Sequence, residues 1–312
     1  MEFVIFILVV VVLLLFILFG LYQYIFGRSS KRESGDFDVP PGSHYEKHSA
    51  SITENVRKAL SYESRFITTF SRDGIKLSGR LYEFGTSDKL VIFFHGYRSS
   101  AIRDGNGIIN ICAEKGYNIL VVDQRAHGKS SGRTITFGIK ERYDCVDWVD
   151  YAIKQYGDNV KVVLGGLSMG AATIMMAAGS ELPRNVRAIV EDCGYSSPRD
   201  ILCSVLKRKR LPVRFIYFLI RVSAIVFGGF DPDSYSSAKG LSNCDLPVLF
   251  IHGQADRLVP CEMSDVCRYS CKGETRSLLV ADAGHGMSFY HNKEGYISAV
   301  TDILTKGFGD IA

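Results

Sequence analysis

The sequence predicts an α/β protein: a mostly parallel sheet flanked by helices, carrying a helical insertion and preceded by one apolar helix of membrane-spanning length. Three observations predict it. Short apolar runs alternate with helical stretches along most of the chain, the pattern of a parallel sheet buried on both faces. Residues 3–27 hold no charged side chain, and residues 3–19 are apolar without a break. The alternation is interrupted once, between residues 190 and 248, by a stretch that is helical in character but off the pattern. With 312 residues, 46% hydrophobic and 22% charged, the chain has a globular composition, which excludes a disordered, collagen-like or coiled-coil protein. A net charge of only +4 gives no global sign of nucleic-acid binding.

Taken in order, residues 3–26 are long enough, at about 1.5 Å per residue, to cross a hydrocarbon core of roughly 30 Å. A cleavable signal peptide would carry bases before a shorter apolar stretch and small residues at a cleavage site. Here only Glu2 precedes the run, and Phe19-Gly20-Leu21-Tyr22 offers no such site. Residues 1–27 therefore read as an uncleaved transmembrane anchor, and the rest holds 37 bases against 32 acids. Arg28, Lys31 and Arg32 follow the run, with Tyr22 and Tyr24 at the interface. The positive-inside rule then places the protein in the cell membrane as a single-pass protein, its folded domain on the cytoplasmic side.

Residues 28–62 read as a polar tether with Pro40-Pro41-Gly42, then a lead-in helix over 51–60. The folded domain occupies 63–312. Runs 66–70 and 75–84 flank Asp73-Gly74, a hairpin signal. Further strands are expected at 90–94, 119–122, 160–164, 186–190, 248–251 and 277–280, and helices at 103–115, 140–156, 169–182, 262–270 and 293–306. Eight cysteines, at 112, 145, 193, 203, 244, 261, 267 and 271, form no small-domain disulfide framework and no usual zinc spacing, so they read as reduced thiols.

The insertion, about 198–242, is strongly basic: between Arg199 and Arg221 seven bases face one acid, Asp200. Residues 213–230 are apolar apart from Arg214 and Arg221, but a second membrane span would bury Arg221 at a cost of several kcal/mol. A cap over an active site is the expected role. Its bases, Lys207–Arg210 and Arg214, with Leu211, Phe215, Phe218 and Leu219, would face the bilayer and admit acyl chains; the alternative is that these apolar side chains pack inward over the core and the bases are simply solvated.

The chemistry is expected where the run 160–164 enters Gly165-Gly166-Leu167-Ser168-Met169-Gly170 and then an alanine-rich helix. A serine on a tight strand-to-helix turn is backbone-strained, and Gly166 and Gly170 supply room for it. The turn exposes the hydroxyl at a helix N-terminus, which favours nearby negative charge.

At this point residues 63–312 resemble the α/β-hydrolase family. Leu90 through His95-Gly96-Tyr97 looks like the strand and His-Gly loop that supplies half of the oxyanion hole. Asp123-Gln124-Arg125-Ala126-His127-Gly128 resembles the loop after the next strand, His252 through Asp256 to Pro260 the acid turn, and Ala283-Gly284-His285-Gly286 the histidine loop. The short cap resembles that of the serine-aminopeptidase and lysophospholipase-like branch. The resemblance implies the α/β-hydrolase fold and a serine hydrolase with no metal and no organic cofactor.

Each role also has a reason of its own. Serine is a poor nucleophile until a base takes its proton, and histidine's ordinary pKa suits that work. Of seven histidines, His44 and His48 lie in the tether, His95, His127 and His252 precede other chain turns at strand ends, and His291 approaches a helix. His285 alone follows the last strand, so the order Ser168, Asp256, His285 is the one this architecture expects. Asp256 follows the run 248–251 and should orient His285. Asp192 is its rival, and Asp282 lies too close to His285. Met169 follows the nucleophile and Tyr97 stands where the resemblance places the second donor, so their backbone N–H groups are the expected oxyanion donors. Arg125 and His127 read as loop-stabilising. The expected activity is cleavage of a carboxylic ester or related acyl bond of a small, lipid-like substrate. A peptidase using the same triad and an inactive binding protein on the same fold are the alternatives, and a basic cap favours anionic or lipid-like substrates over amines.

Overall fold

The computed structural model describes residues 1–28, 35–39, 42–86, 88–180 and 182–310, with backbone only at 43–44. Lys31, Arg32, Pro40 and Pro41 therefore lie outside the described residues. The chain runs α1 (Glu2–Ile25), α2 (Ser43–Glu46), α3 (Ser49–Ser61), β1 (Arg65–Phe70), β2 (Lys76–Tyr82), β3 (Lys89–Phe94), α4 (Ala101–Lys115), β4 (Asn118–Asp123), α5 (Glu141–Tyr156), β5 (Lys161–Leu167), α6 (Met169–Ala177) and β6 (Val186–Asp192). The insertion follows as α7 (Pro198–Arg208), α8 (Val213–Ser223), a π-helical turn (Ala224–Gly228) and α9 (Ser237–Leu241). The chain closes with β7 (Val248–Gly253), α10 (Glu262–Ser270), β8 (Thr275–Val280), α11 (Ser288–His291) and α12 (Lys293–Phe308).

The eight strands form one sheet in the order β1-β2-β4-β3-β5-β6-β7-β8. The β1–β2 and β2–β4 pairs are antiparallel and all others parallel. The interior strands β3 and β7 are buried almost residue by residue, whereas the edge strands β1 and β8 expose much of their length. That contrast follows from position: only strands with neighbours on both sides and helices on both faces need continuous apolar runs. One face carries Val91, Phe93 and Val163 against α3, α4 and α12, through residues such as Val56, Ile109 and Leu304. The other carries Ile92, Phe94 and Leu164 against α5 and α6, through Trp148, Val149 and Ile174.

A third core lies between the insertion, α6 and the end of α1. Ile201, Leu202, Tyr217 and Ile220 of the insertion meet Met169 and Met176 of α6 together with Tyr22 and Phe26. Phe26 is fully buried, with Phe137 and Phe230 set edge-on at 5.7 and 5.2 Å. Arg28 donates to the carbonyls of Ser130 and Gly128, and the Ile135 N–H donates to Phe26 O at 2.7 Å. The expected boundary between an independent anchor and a tether at residue 27 is therefore not where the fold begins. The last turn of α1 and the two residues after it are part of the domain's packing, because Phe26 is too large and apolar to leave in water.

α1 itself is apolar enough, over 24 residues, to cross a membrane. Apart from Leu18 and Tyr22, its side chains are mostly exposed. The helix expected at 169–182 ends at Ala177, before Gly179-Ser180. Arg221, which argued against a second span, pairs with Asp231 and Asp233 at 2.7 and 3.0 Å.

Candidate active site

β5 ends at Leu167 and α6 begins at Met169, so Ser168 alone makes the reversal from strand to helix. Its φ of 56° lies in the left-handed region, which a serine adopts only when its surroundings force it. The force is packing. A Cβ on Gly166 would sit 2.5 Å from the Gly170 carbonyl carbon, and one on Gly170 would sit 1.9 Å from Phe94 O. Only glycines let the turn close this tightly. The Ser168 N–H donates to Asp192 O at 2.8 Å, which ties the turn to β6.

Ser168, His285 and Asp256, more than a hundred residues apart at the extremes, form one hydrogen-bond chain. Ser168 Oγ lies 2.9 Å from His285 Nε2, and His285 Nδ1 lies 2.7 Å from Asp256 Oδ2. Burial alone would raise the Asp256 pKa. The charge of His285, hydrogen bonding from both His252 and His285, and the Val259 N–H outweigh it and hold the carboxyl well below the usual carboxylate range. An ionised Asp256 accepts a hydrogen bond from Nδ1–H of His285, which fixes the tautomer whose Nε2 faces the serine hydroxyl as an acceptor. Asp256 Oδ1 accepts the Leu258 and Val259 N–H groups at 2.8 and 2.9 Å, which fixes the carboxylate in place.

Asp192 does not pair with His285. It is buried beside Tyr296, and burial pushes its carboxyl up to about 6. His95 accepts the Gln124 N–H at 3.1 Å. His127 is fully buried, and burial, reinforced by His95, holds its pKa well below the ordinary value, so its neutral Nε2 accepts the Arg98 N–H at 2.9 Å. Arg125 pairs with Asp144 and Asp73. His48 packs against His291 with ring centroids 4.7 Å apart and the rings tilted by 52°.

The loop after β3 lies against the nucleophile: a Cβ on Gly96 would come 3.4 Å from Ser168 Cβ. Met169 opens α6, where first-turn N–H groups have no acceptor within the helix. Tyr97 and Met169 thus flank Ser168 from two elements.

Cys193, Asp256 and His285 place ligand atoms within 4.8 Å of one another. Burial, reinforced by the charges of Asp192 and Asp256, keeps the Cys193 thiol protonated, and a thiol in that form is a poor metal ligand. The 2.7 Å Asp256–His285 contact is a hydrogen bond, too short to hold an ion between its atoms.

A cavity of about 430 Å³ opens beside Ser168 and His285. Tyr45, Tyr97, Asn106, Leu167, Tyr290 and Leu258 are among the residues that line it. Among the described residues, none from 198–242 does, which corrects the expectation that the insertion roofs the site. The insertion's apolar faces are spent on α6 and α1. The lead-in segment stands over the site instead: the Tyr45 hydroxyl donates to His285 O at 2.9 Å. Sequence reasoning missed Tyr45, because nothing local to residue 45 signals a partner 240 positions away.

A family model described as the alpha/beta hydrolase fold matches residues 89–203. YqkD of Bacillus subtilis (strain 168), an uncharacterized protein, is 26% identical over 216 residues, covering 69% of this chain and 70% of that one. An esterase of Pyrococcus furiosus superposes with a TM-score of 0.65 at 26% identity, covering 80% of this chain and 93% of that one. A protein from Burkholderia cenocepacia described as a putative aryl esterase shares the fold, with a TM-score of 0.58 at 21% identity over 78% of this chain and all of that one.

Proposed function

We propose that this chain, which has the α/β-hydrolase fold, is a membrane-anchored serine hydrolase that cleaves a carboxylic ester or related acyl bond. The observation that carries the reading is the hydrogen-bond chain from Asp256 through His285 to a strained Ser168. Ser168 Oγ attacks the acyl carbon as its proton moves to His285 Nε2. The N–H groups of Tyr97 and Met169 stabilise the developing oxyanion. His285 then protonates the leaving oxygen, and water, deprotonated by the same imidazole, hydrolyses the acyl-serine. Asp256 keeps the imidazole in the required tautomer and steadies its charged form. The complete hydrogen-bond chain Ser168–His285–Asp256 disfavours the alternative, an inactive binding protein on the same fold.

An ester substrate is favoured by the similarity to the Pyrococcus furiosus esterase. A lipid-like acyl group is favoured by the placement of α1 and the insertion. Phe215, Phe218, Ile225 and Val226 of the insertion are exposed, next to the exposed bases Lys207–Arg210. Phe227, which follows Val226, packs edge-on against Phe19 of α1 at 5.3 Å. With α1 spanning the bilayer, this ridge lies at the level of its last turns and therefore at the leaflet surface. Arg28 on the same side favours a cytoplasmic domain, so protease added to intact cells should spare it.

The deciding experiment is labelling of the full chain with a fluorophosphonate probe, followed by turnover of acyl esters and peptides of graded size. Ser168→Ala should abolish both labelling and ester turnover. Labelling that survives in the variant overturns the assignment, and turnover of peptides alone replaces the esterase with a peptidase.

A further inference from the structure

α1 ends without a basic residue in its last turn, yet its terminal carbonyls are satisfied. Tyr22 O accepts the N–H groups of Phe26 and Gly27 at 2.7 and 3.0 Å. The next carbonyls are capped from outside the helix. The Tyr97 hydroxyl donates to Ile25 O at 2.7 Å, and Arg98 Nη2 donates to Tyr24 O at 2.8 Å and to Gly27 O at 3.2 Å. A guanidinium at a helix C-terminus also meets the negative end of the macrodipole. The cap of the membrane helix is thus supplied by the loop after β3, the same loop that lies against Ser168.

The dependence runs both ways. Arg98 has a φ of 52°, a left-handed conformation that a residue with a Cβ holds only when its surroundings over-determine it. Three things hold it: its N–H donates to His127 Nε2, its guanidinium is fixed on the α1 carbonyls, and that guanidinium lies 4.6 Å from the Tyr97 ring centroid. The Tyr97 ring in turn packs on Phe137 at 5.0 Å, and Phe137 packs on Phe26. On its other side the loop is pinned by the Gly96 N–H, which donates to Asp104 Oδ2 at 2.8 Å.

We propose that the last turn of α1 is a positioning element of the active site, its Tyr24 and Ile25 carbonyls holding the Tyr97–Arg98 loop in the geometry that acyl transfer requires. The inference rests on the hydrolase reading above. It makes the side chains of Tyr97 and Arg98 positioning groups that act through the Tyr97 backbone N–H, and it makes membrane anchoring and catalytic competence one structural unit.

The test uses the full chain in lipid nanodiscs with p-nitrophenyl acetate as substrate. Tyr97→Phe removes one hydroxyl and leaves the backbone donor. It should lower kcat roughly tenfold, and Tyr97→Phe with Arg98→Ala should lower it on the order of 10²-fold, the scale of a small misplacement of a reacting group. KM should stay within about twofold throughout, since the displaced donor acts on the transition state. Arg98→Lys should recover part of the loss, because an ammonium still donates to the α1 carbonyls. The thermal midpoint of Tyr97→Phe should stay near that of the parent, which keeps the single variant decisive where the double variant fails to fold. Unchanged kcat with a lowered midpoint would make the contact merely structural and overturn the proposal. A raised KM with kcat intact would make Arg98 a substrate contact and overturn it equally. Ester turnover that survives Ser168→Ala would instead remove the hydrolase reading, and this inference with it.

Discussion

His252 Nε2 lies 3.5 Å from Asp256 Oδ2, so the carboxylate oxygen that pairs with His285 also faces a second imidazole. His252 also lies 2.9 Å from Val259 O, in the turn that supplies two N–H donors to Asp256 Oδ1. These partners hold the acid as an anion against its burial, which is why it, and not Asp192, suits the orienting role.

Asp256→Asn is expected to lower kcat on the order of 10⁴-fold with the fold intact, because an amide cannot hold the imidazole tautomer. Asp192→Asn should cost far less. Steady-state kinetics with circular dichroism on both variants checks this, and a reversed ranking would exchange the roles.

Glu191 and His252 are two of the buried groups that shape the pH dependence of stability, and burial makes Asp192 and Asp144, raised to about 6 and about 7, act in the same sense. Burial pushes the Glu191 carboxyl up from 4.5 to about 7. For His252 burial works to lower the pKa, but Asp256, Glu191 and the Val259 carbonyl outweigh it and raise it from 6.5 to about 8. Both groups hold protons longer in the folded state than in the unfolded chain. Their contribution is therefore fully present at low pH and is lost as pH rises, for Glu191 between 4.5 and about 7 and for His252 between 6.5 and about 8. The thermal midpoint should fall across this window, with Glu191→Gln flattening its lower part and His252→Asn its upper part. Asp256 acts in the opposite sense: its depressed pKa adds stability above the unfolded value of 3.8 that is lost as pH falls below it. A midpoint that rises from pH 5 to 8 would contradict the reading.

Gly170→Ala should destabilise the protein by about 3 kcal/mol or more, since its Cβ would stand 1.9 Å from a backbone oxygen of β3 that cannot move aside cheaply. Ester turnover should fall with it, because β3 and α6 set the distance between the Gly96 loop and Ser168. Thermal melts of parent and variant measure the first effect, and a variant as stable as its parent refutes the packing argument.

Contact of the insertion with lipid is checked by Phe218→Trp in vesicles of brominated anionic lipid. The chain's one tryptophan, Trp148, is buried between sheet and helix and should stay bright. Fluorescence of the new tryptophan should be quenched. Replacing Lys207, Arg208, Lys209 and Arg210 by Ser should reduce the quenching, since each base near an anionic surface is worth about 1 kcal/mol. Emission indifferent to bromine would leave the ridge in water.

Most of the sheet was legible because its strands are buried on both faces, and apolar runs such as 90–94 and 248–251 have few other uses. Ser168, Asp256 and His285 were legible because each follows such a run in a fixed order, and the structure brings their side chains together. What escaped was long-range and side-chain specific. Phe26 reads as the last residue of a membrane run until its partners Phe137 and Phe230 are known. Tyr45 reads as a tether residue until its hydroxyl is seen on the His285 carbonyl. What the insertion covers was not legible, because amphipathic helices reveal that they cover something and composition does not say what. Its apolar faces cover α6 and α1, with Tyr217 and Ile220 inward and Phe215 and Phe218 outward.

Phe26, wedged between Phe137 and Phe230, also changes how the domain moves. A domain on a leash tumbles and samples every orientation above the surface. With α1 across a bilayer, as proposed above, a domain welded to its span at Phe26 and Arg28 is a turret without a bearing, its sheet held at one tilt to the membrane normal and its cavity mouth at one height. Any acyl bond that reaches Ser168 is then selected partly by geometry: it must present itself at that height, whatever its chemistry.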